Sequence, residues 1–163
     1  MIRALCLAIL MAGTASAGSL EGRLVTFTVL TYDDPAQPYL AARGRTVMVG
    51  PGVEFGLEPE GLTGGLDVVP VTVEIGPSRI ELSYPRGAGA FFAARFNGYV
   101  LRFATDCALF DGAAVDAAAS TMTLAPDAIQ SDGGGLYINV AGLQYGPDAR
   151  LAIDLAVSDC PMS

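Results

Sequence analysis

The sequence predicts an all-β protein: an antiparallel sandwich of two sheets with about nine short strands, of jelly-roll or immunoglobulin-like type, with a closed barrel as the alternative. Three observations carry this. Apolar residues recur at every second position in run after run, the pattern of strands with one face buried. Gly- and Pro-rich turn signals separate the runs. Stretches with the apolar spacing of an amphipathic helix are lacking.

The elements follow in chain order. Val25, Phe27 and Val29 alternate with Thr26 and Thr28, giving a first strand. Residues 33–43, opened by Asp33-Asp34-Pro35, and residues 57–65 read as the longer loops. Val71, Val73 and Ile75 alternate with Thr72 and Glu74, and Ile80, Leu82 and Tyr84 with Glu81 and Ser83. The Gly76-Pro77 step between these two runs predicts a hairpin in which Val73 faces Leu82, Ile75 faces Ile80 and Val71 faces Tyr84. Residues Phe91 to Phe103 are apolar at almost every position, as expected of a central strand covered on both faces. "DGAAVDAAASTMTLAP" has helical composition but only Val115 as a large apolar residue before Met122, so its second half reads as a strand. Leu136, Ile138 and Val140, then Leu151, Ile153, Leu155 and Val157, complete the series.

An apolar residue followed by Gly-Pro occurs at Val49, Ile75 and Tyr145. Proline fixes φ at a turn's first corner and drives the preceding residue to extended geometry. The Gly-Pro steps lie 26 and then 70 residues apart, which is not the fixed period of a repeat architecture. They are strand punctuation.

The first 17 residues, "MIRALCLAILMAGTASA", place one Arg before a short apolar run and end on Ala-Ser-Ala. This is the pattern of a secretory signal cleaved before Gly18, and the run is too short to span a bilayer as a helix. The expected mature chain is a single domain, 18–163, delivered to the periplasm or the medium with no membrane insertion. It retains Cys107 and Cys160, which an oxidising compartment favours as a disulfide. A loop of that length contributes about 4 kcal/mol in the chain-entropy account.

All nine basic side chains are Arg, and loss of Arg3 with the leader leaves eight against 17 acidic residues, a formal charge of −9. That balance disfavours nucleic acid and anionic lipid, which basic side chains bind by releasing counterions. Histidine is absent, as is lysine. This excludes Ser-His-Asp and Ser-Lys nucleophiles and Schiff-base chemistry. Carboxylate-pair glycoside hydrolysis and oxygen-ligand cation binding remain. In the Gly76-Pro77 hairpin, the register sets Glu74 opposite Glu81 on the outer face, a repulsive pair unless a cation or Arg79 relieves it. Glu74 and Glu81 are therefore the candidate Ca²⁺ ligands and the candidate acidic pair. The other carboxylate groups, Asp33-Asp34 and Glu54, Glu58 and Glu60, lack the spacing of a dedicated calcium loop. "SDGGGLYINV" is glycine-rich but leads into a strand without the Lys of a phosphate loop.

Carbohydrate binding on a sheet draws on exposed aromatic rings. There is no Trp, and of the six Tyr, Tyr137 is out of phase with Leu136 and Ile138, while Tyr32 and Tyr39 lie near the first long loop. These three are expected to face solvent.

"VGPGVEFG", "DVVPVTVEIGPSRIELSY", "FNGYVLRF", "LYINVAGL" and "ARLAIDLAV" together resemble the extracellular β-rich domain of bacterial secreted proteins of the PEP-CTERM type. The resemblance implies export and a sandwich fold, and assigns no catalytic positions. The chain ends "SDCPMS", without the Pro-Glu-Pro, membrane helix and basic tail of that group's sorting signal. The expected function is that of an exported, non-catalytic binding or structural module, with a carbohydrate or cell-envelope component as the partner to test. A carboxylate-dependent glycoside hydrolase is the alternative.

Overall fold

The computed structural model describes residues 18–56, 69–104 and 110–158. The predicted signal segment, the whole of the predicted 57–65 loop with Glu58 and Glu60, Cys107 and Cys160 lie outside the described residues. The domain is all-β, with thirteen strands among those residues in three antiparallel sheets. In order, the strands are β1 Leu24–Tyr32, β2 Leu40–Ala41, β3 Arg45–Met48, β4 Val53–Gly56, β5 Thr72–Gly76, β6 Arg79–Ser83 and β7 Gly89–Ala90. They continue with β8 Phe96–Phe103, β9 Phe110–Val115, β10 Ile129–Ser131, β11 Gly135–Asn139, β12 Gln144–Tyr145 and β13 Arg150–Val157.

A six-stranded sheet runs β10-β11-β8-β1-β2, with β3 also paired to β1; a five-stranded sheet runs β4-β5-β6-β13-β9; β12 and β7 form a small ribbon. The alternation read from the sequence decides which side chains turn inward. Val25, Phe27 and Val29 from β1, Tyr99 and Leu101 from β8, and Leu136 and Ile138 from β11 join Val73, Ile75, Ile80, Leu82, Leu151 and Ile153 of the five-stranded sheet in one buried cluster. The ring of Phe27 spans the two sheets, stacked on Phe55 of β4 at 5.0 Å and on Tyr99 at 5.3 Å. Burial of this apolar surface is the main term holding the domain together. The chain just before β1 closes one side: Gly18 N–H donates to the Val157 carbonyl, Leu20 N–H donates to that of Pro77, and Leu20 is fully buried.

The predicted hairpin register holds for the paired residues. Val73 faces Leu82, Glu74 faces Glu81 and Ile75 faces Ile80, with Gly76 opposite Arg79 across Pro77-Ser78. Val71 and Tyr84 lie just past the ladder and are both buried. All three Gly-Pro steps lie at the junctions of consecutive strands: β3 and β4, β5 and β6, where Gly76 is the last residue of β5, and β12 and β13. Among the described residues no helix is long and apolar enough to cross a membrane.

Four expectations need correction. Thirteen strands replace about nine, because β2, β7 and β12 are two-residue pairings with no periodicity to read. Residues 33–43 are not wholly loop: Leu40 and Ala41 pair with Thr31 and Leu30. In 111–126 the strand occupies the first half. There Ala113 and Val115 lie opposite Leu155 and Ile153 at the edge of the five-stranded sheet, a position that requires a ladder partner more than large side chains. The second half turns: the Asp116 carboxylate accepts the N–H groups of Ala118 and Ala119, and the N–H groups of Thr121 and Met122 share the Arg150 carbonyl. In the apolar run from Phe91, the strand begins at Phe96; it is central and buried on both faces up to Leu101, as the run implied.

Candidate functional site: an aromatic corner on the six-stranded sheet

The outer face of the six-stranded sheet is set by the positions between the core residues. Tyr32 is directly opposite Phe96 across the β1–β8 ladder, and Tyr137 is opposite Val100 across β8–β11 and opposite Gln130 across β10–β11. The rings converge. Tyr32 stacks on Phe96 at 5.3 Å with a 12° interplanar angle, and Tyr137 meets Phe96 edge-on at 6.4 Å and 80°, both favoured ring geometries. Tyr32, Phe96 and Tyr137, with Arg95, Ala128, Gln130 and Asn139, line a pocket of about 130 Å³.

Hydrogen bonds behind the rings fix the corner. The Asn139 side-chain carbonyl accepts the Asn97 and Ala141 N–H groups, and its amide donates to the Arg95 carbonyl. Asn97, itself buried, accepts from the Thr31 hydroxyl and donates to the Phe92 carbonyl. Tyr137 is oriented by a charged pair: its hydroxyl donates to Asp132 at 3.0 Å and accepts from the Arg102 guanidinium, whose Cζ sits 5.1 Å over the Tyr137 ring. The hydrogen bond from Tyr137 holds the Asp132 carboxyl below its ordinary pKa, helped by the Gly135 N–H and the charge of Arg102. Partial burial raises the Tyr137 hydroxyl.

Tyr39 extends the aromatic surface. It is 46% exposed and meets Phe92, 49% exposed, edge-on at 6.0 Å. Its hydroxyl donates to Asp33 at 2.7 Å, and the other Asp33 oxygen accepts the Arg95 N–H. These bonds, that from Tyr39 foremost, lower the Asp33 pKa. The three tyrosines singled out in the sequence thus lie at least partly in solvent, and Tyr32 and Tyr137 share one pocket. Phe96, Arg95, Gln130 and Asn139 were not foreseen. Phe96 stood in a run read as core, and it is in fact buried; only the inter-strand register reveals that its ring is covered by two tyrosines.

The second candidate, Glu74 and Glu81, lies on the outer face of the five-stranded sheet. The two residues face each other and line an open groove of about 530 Å³ with Thr72, Ser83 and Arg150. Arg79 gathers the surrounding charge: Nη2 donates to Asp116 at 2.6 Å and Nη1 to Asp154 at 3.0 Å. Its Nε approaches Glu81 at 2.9 Å as an ion pair without hydrogen-bond alignment. Arg79 thereby offsets the Glu74–Glu81 repulsion. Among the described residues, no group of three or more acidic, Cys or His side chains is arranged to hold a metal ion.

The remaining sequence candidates build turns. Asp34 accepts the Ala36 N–H, Glu54 accepts the N–H groups of Gly50 and Ile75, and Asp132 accepts that of Gly135 in the glycine-rich turn. Comparison of the chain with family models, curated proteins and solved structures yields no match.

Proposed function

We propose that the protein is an exported, non-catalytic binding module, a two-sheet β-sandwich whose ligand site is the Tyr32–Phe96–Tyr137 corner and whose ligand is a carbohydrate, free or in the cell envelope. The observation that carries the reading is the convergence of three rings with Gln130 and Asn139 on one small pocket. The partly exposed rings of Tyr32 and Tyr137, packed on the buried Phe96 beside the Gln130 and Asn139 amides, suit a sugar ring, which presents apolar C–H faces and equatorial hydroxyls. Export rests on the leader, and the sandwich on the way both larger sheets turn alternating residues into one cluster.

A glycan array probed with the secreted protein and with Tyr137→Ala tests this. The expected result is binding by the wild type that falls at least tenfold in the variant at a temperature where circular dichroism shows both proteins folded. Undiminished binding by Tyr137→Ala, or no glycan bound, overturns it.

One observation favours a second reading, a carboxylate-dependent glycoside hydrolase: Glu74 and Glu81 face each other along a groove. Against it, Glu81 is 57% exposed and ion-paired to Arg79, whereas a general acid needs a desolvated carboxyl. Release of reducing ends from a polysaccharide, abolished in Glu81→Gln, would establish hydrolysis.

A further inference from the structure

The charges of the two larger sheets are segregated. The strands of the six-stranded sheet contain Arg45 and Arg102 and no carboxylate. Those of the five-stranded sheet contain Glu54, Glu74, Glu81, Asp111 and Asp154 against Arg79 and Arg150. In a chain this acidic, the aromatic corner sits on the sheet whose strands are free of negative charge.

The pocket also has a cation to offer. Arg95 lines it, and among the described residues its guanidinium makes no ion pair. The carboxylates that touch lining residues are engaged: Asp33 by the Tyr39 hydroxyl and the Arg95 N–H, Asp132 by Tyr137 and the Gly135 N–H. An exposed arginine beside a ring surface is suited to grip a carboxylate in two parallel hydrogen bonds. Gln130 and Asn139 supply neutral polar groups on the same wall.

Two other ligand classes fit less well. A quaternary ammonium group, the usual occupant of an aromatic cage, would meet Arg95, and the Tyr137 ring already carries Arg102 over it. A long chain buried along its length needs more than about 130 Å³, room for roughly four waters at ~30 Å³ each; the pocket takes part of one sugar residue at a chain end or side branch, with the rest of the ring lying over its mouth.

From these observations we infer that the pocket selects an acidic saccharide, one sugar residue stacked at the Tyr32–Phe96–Tyr137 corner with its carboxylate on Arg95. The inference rests on the reading of that corner as the ligand site. Calorimetric titration with a galacturonate oligosaccharide and with its carboxyl-reduced, neutral counterpart tests it, using the wild type, Arg95→Gln and Tyr137→Ala.

The wild type is expected to bind the acidic oligosaccharide at least tenfold more tightly than the neutral one, with the ratio shrinking as salt rises. Arg95→Gln brings the ratio close to one at unchanged melting temperature, and Tyr137→Ala weakens both sugars. Equal wild-type affinities, both lost in Tyr137→Ala, overturn the acidic preference and leave the corner as a neutral-sugar site. An acid preference that survives Arg95→Gln overturns the role of Arg95. If neither oligosaccharide binds the wild type, the inference falls, and the array separately decides whether the corner binds glycans at all.

Discussion

At the residue scale, the most unusual groups are two phenols in the core. Tyr84 and Tyr99 are almost wholly buried, and neither hydroxyl makes an aligned hydrogen bond. Burial raises both pKa values above the ordinary tyrosine value, and the nearby Tyr84 hydroxyl pushes Tyr99 further in the same direction. The sign follows from which form is disfavoured. A raised folded-state value means the native protein holds the proton more tightly, so the contribution to stability is complete below about pH 10 and is lost as pH rises past it. In an absorbance titration of the six tyrosines, two are expected to ionise only when the fold is lost. Tyr84→Phe should leave one such group and be neutral or stabilising, because it removes a buried hydroxyl without an aligned partner. Six phenols titrating before unfolding would contradict the buried placement.

At the element scale, the β8–β11 ladder depends on one glycine. Asn139 lies opposite Gly98, and a Cβ on Gly98 would stand 1.9 Å from the Ile138 carbonyl oxygen. Backbone cannot yield as a flexible side chain does, so Gly98→Ala must push β8 and β11 apart. The expected destabilisation is at or beyond the top of the ~1–3 kcal/mol typical of overpacking, read from the denaturant midpoint. The same displacement would separate Phe96 from Tyr137 and weaken the glycan binding proposed for that corner. Gly112→Ala is the control: the added Cβ meets only the Ala156 Cβ at 3.9 Å, an ordinary contact.

At the scale of the whole molecule, the acidic chain relies on a few engaged carboxylates. Asp116 is held below its ordinary pKa chiefly by the Arg79 hydrogen bond, Asp132 by Tyr137 and Asp33 by Tyr39. A depressed native value contributes stability that is present above the unfolded-state value, near 4, and is lost as pH falls through the native one. The melting temperature should therefore drop as pH is lowered below about 4. Asp116→Asn, which weakens the Arg79 cluster, should start from a lower value at neutral pH and show a shallower acid limb. An acid limb of unchanged slope in Asp116→Asn and Asp132→Asn would place the acid lability elsewhere.

The sequence by itself determined the strand alternation, the turn positions and the Glu74–Glu81 register. Each is local: a period of two assigns the faces of a strand, and Gly-Pro punctuates it whatever surrounds it. It also marked Tyr137 as outward-facing by its phase and Tyr32 and Tyr39 by their place near the first long loop, both local properties. Tertiary structure alone decided which strands are neighbours. The β1–β8 ladder joins residues more than sixty positions apart and sets Tyr32 on Phe96, and the β8–β11 ladder brings Arg95 into the same pocket as Tyr137. It likewise assembled Asp116 and Asp154 around Arg79. Such pairings depend on the combined burial of many side chains distant along the chain, which no short window of residues contains.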